Sequence, residues 1–391
     1  MSRPLIGVLL LALALRIGTA IAFDGRTFSA DEAHWQRMAE SLWQGGLQSA
    51  EAGFFRPPLY PLFIAWVYGT LGYEPIAVRL LQAVLSAATC LVPFALARSA
   101  YGERAGLYAA LLTACHPLFI FFSGVFMAET LLLLCTGLAL WCVQRVVDQS
   151  NMYSAVGLGI ILGLGALCKP VLLVWVPLLF VVLWRARAKN RTRGVGHMAV
   201  VFLTLVLTVV PWTLRNKQVS GHFVPISTNL GINLLVGHEP FATGRYSDDA
   251  DYWQMVREIA GGEEDPVLRD ALVARHALRG MVAQPLRTVR LAAIKVVSLW
   301  IPFGQDPSII RVTVLGLLGI SVLLLGTIGL WHMRHSSVCW SALSLLVALT
   351  GVHALFFAHI RFRLPIDLAL IAPIACWLAD AMSRGERCES T

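Results

Sequence analysis

The sequence predicts an all-α polytopic membrane protein, and three observations carry that reading. Its 391 residues are 57% hydrophobic and only 14% charged, where a soluble domain carries about 25% charged residues. The mean hydropathy is +0.69, more apolar surface than a water-soluble core of this size can hide. The apolar residues fall into runs of membrane-spanning length, separated by short basic segments, which gives about ten (10–12) spanning helices.

Charge and cysteine content narrow the class further. The net charge is +8, from 31 basic and 23 acidic residues. The basic residues sit between apolar runs, the pattern of loops facing the cytoplasm, and not in the patches or stripes that bind nucleic acid. No pair of the eight cysteines forms a CxxC motif, and the two large polar loops hold none. There is no disulfide framework or zinc knuckle to build on.

The elements follow in chain order. Residues 1–23 open with Arg3 and run apolar. Ala20-Ile21-Ala22 resembles a signal-peptide cleavage site, but Arg16 lies inside the run, and the segment is read as a first span. Residues 24–77 form a first outer loop. Within it, Ser29–Trp43 has helical spacing, with Ser29 and Glu32 placed as a capping box, and predicts a helix along the membrane surface. Residues 59–72 are apolar but short for a span, and are read as a second surface or re-entrant segment. Spans are then expected at 78–98, 104–122, 128–145, 153–168, 170–184, 197–214, 309–331, 337–357 and 362–381. A second outer loop covers 215–308, partly helical over 249–283. Within it, Arg287, Arg290 and Lys295 favour an interfacial helix at 287–302 over a span. The whole chain, 1–391, reads as one membrane-embedded domain.

Orientation comes from the stretch Arg185–Arg193, which carries five positive charges and no acid and should be cytoplasmic. Counting spans from it places Arg98–Arg104, Arg145, His332–His335 and Arg384–Arg387 on the same side. The two large loops, Glu129, Lys169 and Arg361–Arg363 fall on the other.

Charged groups at membrane depth are costly and ask for a reason. Asp31-Glu32 begins the surface helix, either as acids that complement the helix dipole or as a general base. Arg56, held by Pro57-Pro58, reads either as a headgroup anchor or as a ligand for lipid phosphate. Glu129, at the outer end of a span, is either paired or functional. Lys169-Pro170 ends a glycine-rich helix, as an anion site or a snorkelling lysine. Arg361 and Arg363 sit on the outer side against the positive-inside tendency, which asks for an anionic partner. His238-Glu239 offers proton transfer or metal binding, or is a surface pair without a role. Gly157-Leu158-Gly159 lies in a membrane helix and reads as packing.

These segments, in this order, resemble the GT-C glycosyltransferases of the protein O-mannosyltransferase and aminoarabinose transferase superfamily. The matching pieces begin with a first span, Asp31-Glu32, Arg56-Pro57-Pro58-Leu59-Tyr60-Pro61 and Val78-Arg79-Leu80-Leu81. They continue with Ser123 to Glu129-Thr130, Gly165 to Lys169-Pro170, Pro211-Trp212 to Arg215-Asn216, Asn233 to Tyr246 and Arg361 to Pro365. Each motif is weak alone, and their order and spacing carry the resemblance, which spans residues 5 to about 370.

The resemblance implies a GT-C-type bundle with juxtamembrane helices on the outer face. It implies inverting transfer of a sugar from a polyprenyl-phosphate donor to a lipid, glycan or protein acceptor, on the periplasmic side of a bacterial inner membrane. Asp31 is then the catalytic base, with Glu129 orienting the acceptor or the neighbouring groups and Glu32 in support. Arg56, Lys169, Arg361 and Arg363 bind the donor phosphate, and His238 and Tyr246 belong to the substrate loop. In the aminoarabinose enzymes an acidic residue precedes the basic-Pro-Pro motif and helps to hold a metal, and here that position is Phe55. A divalent metal is the one cofactor the resemblance raises, with its ligands unassigned. No large soluble segment follows the last span, which favours a lipid or small glycan acceptor over a folded protein. A lipid-linked glycan flippase without chemistry is the alternative, and it would carry polar groups near the midplane and an internal repeat.

Overall fold

The computed structural model describes residues 2–47, 53–186, 191–239, 242, 252–302 and 308–389, and among these there is no β-strand. The first helix, α1 (Arg3–Ala22), packs against α4 (Pro75–Thr89), α5 (Leu91–Ala114) and α6 (Pro117–Gly124). Arg16 is fully buried there and pairs with no carboxylate among the described residues. Its guanidinium donates to Ser86 Oγ at 2.7 Å and to the carbonyls of Ala114 and Thr113 at 3.0 and 3.1 Å. Those carbonyls end α5 and have no helical partner of their own, so the cation in α1 caps its neighbour.

Between α1 and α4 in the chain lie α2 (Ala30–Gly45) and α3 (Leu59–Leu71), helices where the sequence predicts them. At 13 residues, α3 is only about 20 Å long, short of the bilayer core. The apolar stretch Pro75–Ala114 is not one straight rod. Gly102 has φ +83°, a conformation that a side chain resists. Past it the chain doubles back, and Gly106 meets Phe94 and Arg98. The expected spans 78–98 and 104–122 meet at this turn.

Next come α7 (Glu129–Gln149), α8 (Met152–Cys168), α9 (Trp175–Ala186) and α10 (Arg191–Ser220). Asn151 caps α8 by accepting from Ser154 N at 3.2 Å. α8 and α10 approach closely because Gly159 and Gly163 lack side chains. A Cβ at Gly163 would lie 2.6 Å from Thr208 Cβ, and one at Gly159 would lie 2.4 Å from Val201 O. Small residues at this spacing are a membrane-helix packing device.

The second loop holds α11 (Leu230–His238), α12 (Tyr252–Ala260), α13 (Pro266–Ala283) and the 16-residue α14 (Pro285–Trp300). The chain ends with α15 (Ile309–His332), α16 (Ser337–Leu355) and α17 (Leu364–Glu389). Seven helices among the described residues are long and apolar enough to cross a membrane, and Leu59–Leu71, Met152–Cys168 and Pro170–Ala186 are shorter apolar helices.

Charges gather at two ends of the bundle. At one end Arg104 pairs with Glu386 at 2.6 Å, Arg384 with Asp380 at 2.7 Å, and Ser337 Oγ donates to Asp148 at 2.9 Å. At the other end Asp31, Arg56, Glu129, Lys169 and Arg361 line one cavity.

Candidate active site

The site starts with two adjacent acids that do different things. Glu32 is 1% exposed. Its Oε1 accepts from Phe28 N at 2.6 Å and Ser29 N at 3.1 Å, and its Oε2 accepts from Phe126 N at 3.1 Å. It makes the carboxylate arm of the capping box and ties α2 to the turn before α7. Asp31, one residue earlier, points into the cavity. Its Oδ1 lies 2.5 Å from Arg56 Nη2 and its Oδ2 lies 2.9 Å from Arg361 Nη1. Burial works against its charge, but the Arg361 and Arg56 guanidinium groups outweigh that and hold the carboxyl well below the usual carboxylate range.

Arg56 is aimed by its surroundings. Pro57 and Pro58 fix the backbone after it, and Thr228 N donates to Phe54 O at 2.8 Å just before it. Its guanidinium lies 4.6 Å from the Trp35 ring centroid. Glu129 opens α7, where the helix dipole favours an acid, and it is 1% exposed. Lys169 Nζ donates to Glu129 Oε1 at 2.5 Å, and Arg361 Nε stands 3.9 Å from the same oxygen. Lys169 sits where α8 ends and Pro170 begins a tight turn, Pro170–Val174. Arg361 lies in a second tight turn, Ile360–Arg363, whose start is capped by His359: Arg361 N donates to His359 Nδ1 at 3.2 Å. Burial and the Arg361 charge push that imidazole down to about 3.

These side chains border a cavity of about 410 Å³, walled by Phe356, Phe357, Phe362 and Leu173. Three cations (Arg56, Lys169, Arg361) face two carboxylates (Asp31, Glu129), 3 − 2 = +1, so the cavity favours an anion. Among the described residues no group of three His, Cys, Asp or Glu side chains could hold a metal ion. Asp31 gives both oxygens to cations, and Glu129 gives Oε1 while its Oε2 is buried without a partner among the described residues, so these acids serve the cations around them first.

Five of the expected site residues therefore meet: Asp31, Glu129, Arg56, Lys169 and Arg361. Three do not join them. Glu32 is taken up by backbone amides. Arg363 is fully buried, 3.1 Å from Asp367 and 3.0 Å from the Trp300 carbonyl. It is two residues past Arg361 in a turn of about three residues, and so faces another way. His238 turns its Nδ1 to Leu234 O and its Nε2 to Lys295 Nζ, each at 3.3 Å, behind the cavity wall. Burial and Lys295 lower its imidazole to about 4. Tyr246 lies outside the described residues. Asn233, from one of the segments that carry the resemblance, lines the cavity as well, and so do Asn229 and His353, which the sequence does not single out. His353 stacks on Phe362 with centroids 4.5 Å apart. A single histidine inside an apolar helix gives no signal of this.

Residues 55–212 match the family model described as dolichyl-phosphate-mannose-protein mannosyltransferase, a stretch that contains Arg56, Glu129 and Lys169. In structure, the chain superposes on the archaeal oligosaccharyltransferase AglB from Archaeoglobus fulgidus, in complex with an inhibitory peptide and a dolichol-phosphate. The TM-score is 0.59 at 15% identity, over 98% of this chain and 51% of that one.

The chain has a GT-C fold.

The A. fulgidus oligosaccharyltransferase complex with zinc and sulfate gives a TM-score of 0.56 at 14% identity, over 98% and 49% of the two chains. The GT-C fold here thus spans about half the length of those proteins. ArnT from Cupriavidus metallidurans, bound to undecaprenyl phosphate, gives 0.47 at 15% identity, over 95% and 77%. No curated protein sequence matches the chain.

Proposed function

We propose that this GT-C protein is a glycosyltransferase that moves a sugar from a polyprenyl-phosphate donor to a hydroxyl acceptor on the outer face of the membrane. The observation that carries the reading is the grouping of Asp31 with Arg56, Arg361, Glu129 and Lys169 around one cavity with a net positive charge. A polyprenyl-phosphate sugar is a phosphodiester of charge −1 on an apolar chain. It suits a cavity with one surplus cation and phenylalanine walls. The match to a family described by a dolichyl-phosphate sugar and a GT-C neighbour that binds a dolichol-phosphate support the same donor class.

The pairing also suggests how the base is controlled. With Arg56 and Arg361 on its two oxygens, Asp31 is a weak proton acceptor. A donor phosphate draws the two arginines toward itself, and the carboxylate left behind becomes more basic. Asp31 then takes the proton of the acceptor hydroxyl, and that oxygen attacks the anomeric carbon from the side opposite the phosphate. The bond between anomeric carbon and phosphate oxygen breaks, and its electron pair leaves on the phosphate. The configuration inverts, and Arg56, Arg361 and Lys169 stabilise the departing charge. Glu129 holds Lys169 in place.

The test is a proteoliposome assay with a labelled polyprenyl-phosphate sugar. Release of polyprenyl phosphate with sugar on an acceptor, lost in Asp31→Asn, supports the reading. Donor that only changes leaflet, with its phosphate–sugar bond intact, overturns it in favour of a flippase.

A further inference from the structure

A second cavity, of about 490 Å³, backs onto the first. Chain neighbours divide between the two at three places. His34 lines the second cavity and Trp35 the first; Phe55 and Arg56 divide in the same way, as do Ile232 and Asn233. His34 is also one helical turn from Asp31 on α2, so the two side chains share a face.

The two cavities differ in chemistry. The first offers cations and phenylalanine walls. The second offers an aromatic corner with a polar floor. Phe55 lies between the His34 ring at 5.6 Å and the Trp253 ring at 5.4 Å, and Trp253 is 49% exposed. The charged groups among the described lining are Asp265, Asp270 and Arg269. The two acids are already engaged. Asp265 accepts from Val267 N and Leu268 N and meets His222, and Asp270 accepts from Gly231 N at 2.8 Å. Among the described residues the Arg269 side chain pairs with none. His34 is held neutral, pushed down to about 4 by burial and by Arg56, so it can both donate and accept a hydrogen bond.

We infer that this second cavity is the acceptor site and that the acceptor it takes is a saccharide. The inference rests on the transferase reading above for the word acceptor, and on the cavity alone for the word saccharide. A pyranose presents an apolar C–H face, which covers an aromatic ring, and a rim of hydroxyls, which hydrogen-bond to neutral and charged side chains. Trp253 and Phe55 provide the first surface, and His34 and Arg269 the second. An extended peptide is held by an open strand edge or by backbone groups left unpaired; the described lining holds no strand, and its two loop stretches close on each other, Thr228 N donating to Phe54 O at 2.8 Å. A lipid chain needs a continuous apolar wall, which Arg269, Asp265 and Asp270 interrupt. A sugar bound against His34 lies one helical turn along α2 from Asp31, the carboxylate that takes the acceptor proton in the proposed reaction.

The test is saturation-transfer difference NMR on the full chain in lipid nanodiscs. The probes are methyl glycosides of hexoses and hexuronic acids, and short peptides containing serine or threonine. Glycoside C–H protons receive saturation, and the signal falls about fivefold in Trp253→Ala and also falls in Arg269→Ala. It survives in Trp253→Phe and in Asp31→Asn. Peptide signals that depend on Trp253, or the lack of any glycoside signal that depends on it, overturn the proposal. Retention of undecaprenyl phosphate is measured on the same samples. Loss of donor binding by the unmodified chain would count against the transferase reading, whereas normal donor binding without a glycoside signal would count against the saccharide site.

Discussion

Arg361 Nη1 lies 2.9 Å from Asp31 Oδ2, although 330 residues separate them in the chain. That contact joins the first polar loop to the turn before the last helix. With Arg56 on the other oxygen, it sets both the charge of the cavity and the basicity of its carboxylate.

Asp31→Asn should lower the rate of transfer about 10²–10⁴-fold, the range for a positioned acid or base. Membrane insertion and yield should stay normal. Single-turnover measurement on the purified variant checks this, and full activity would remove Asp31 as the base.

Arg361→Ala should raise KM for the donor about 10–100-fold, as expected when one charge-assisted contact is lost, and change acceptor KM little. Arg361→Lys keeps the charge but loses the fork and should recover only part of the effect. A variant that changes acceptor KM alone would contradict the phosphate role.

Glu32→Ala should behave quite differently from its neighbour. It strands the buried Phe126 amide together with Ser29 N and Phe28 N, and should cost about 1–3 kcal/mol of stability. Thermal unfolding in detergent reads the loss. At a temperature where the variant is folded, transfer should persist.

Lys295 gives a pH signature outside the spans. It is fully buried, and burial first, then Arg287, pushes it down to about 7 from the ordinary 10.5. Between those values the unfolded chain holds a proton that the folded chain has released, so stability rises with pH across about 7 to 10.5. Below that window both states are protonated and the burial penalty is felt in full. Lys295→Met should flatten the slope in a pH series of unfolding midpoints, and an unchanged slope would refute the assignment.

Gly163→Leu should separate α8 from α10, because its Cβ would already meet Thr208 Cβ at 2.6 Å. A loss of about 1–3 kcal/mol is expected, read as a lower melting temperature with unchanged donor KM in the surviving folded fraction.

Much of the site was legible because charge is scarce in this chain. In a sequence so apolar, Asp31, Arg56, Glu129, Lys169 and Arg361 stand out, and loop counting put them on one side before any contact was known. What the sequence withheld was direction. Asp31 and Glu32 are neighbours, yet one faces the cavity and the other the backbone of Phe126. Arg361 and Arg363 are two apart, yet a tight turn sends the second to Asp367. Those outcomes depend on rotation about helix and turn axes, which hydropathy does not record. The surface helices at 29–43 and 59–72 were visible as short amphipathic or apolar runs. The fold-back at Gly102 showed only as a break between two expected spans. His34, Trp253 and Arg269 gave no signal, because polar loop residues acquire meaning only from what packs beside them.

The contact between Arg361 and Asp31 also has a bearing on biosynthesis. A chain entering the membrane from its N-terminus places Asp31 and Arg56 early and receives Arg361 only with its final helix. Until then Asp31 has one guanidinium instead of two, and the cavity lacks a wall. On the proposed function, a chain cut short before Arg361 is expected to use lipid-linked sugar poorly, however much of the bundle it has built, because one of the two guanidinium groups on Asp31 and one wall of the cavity are missing.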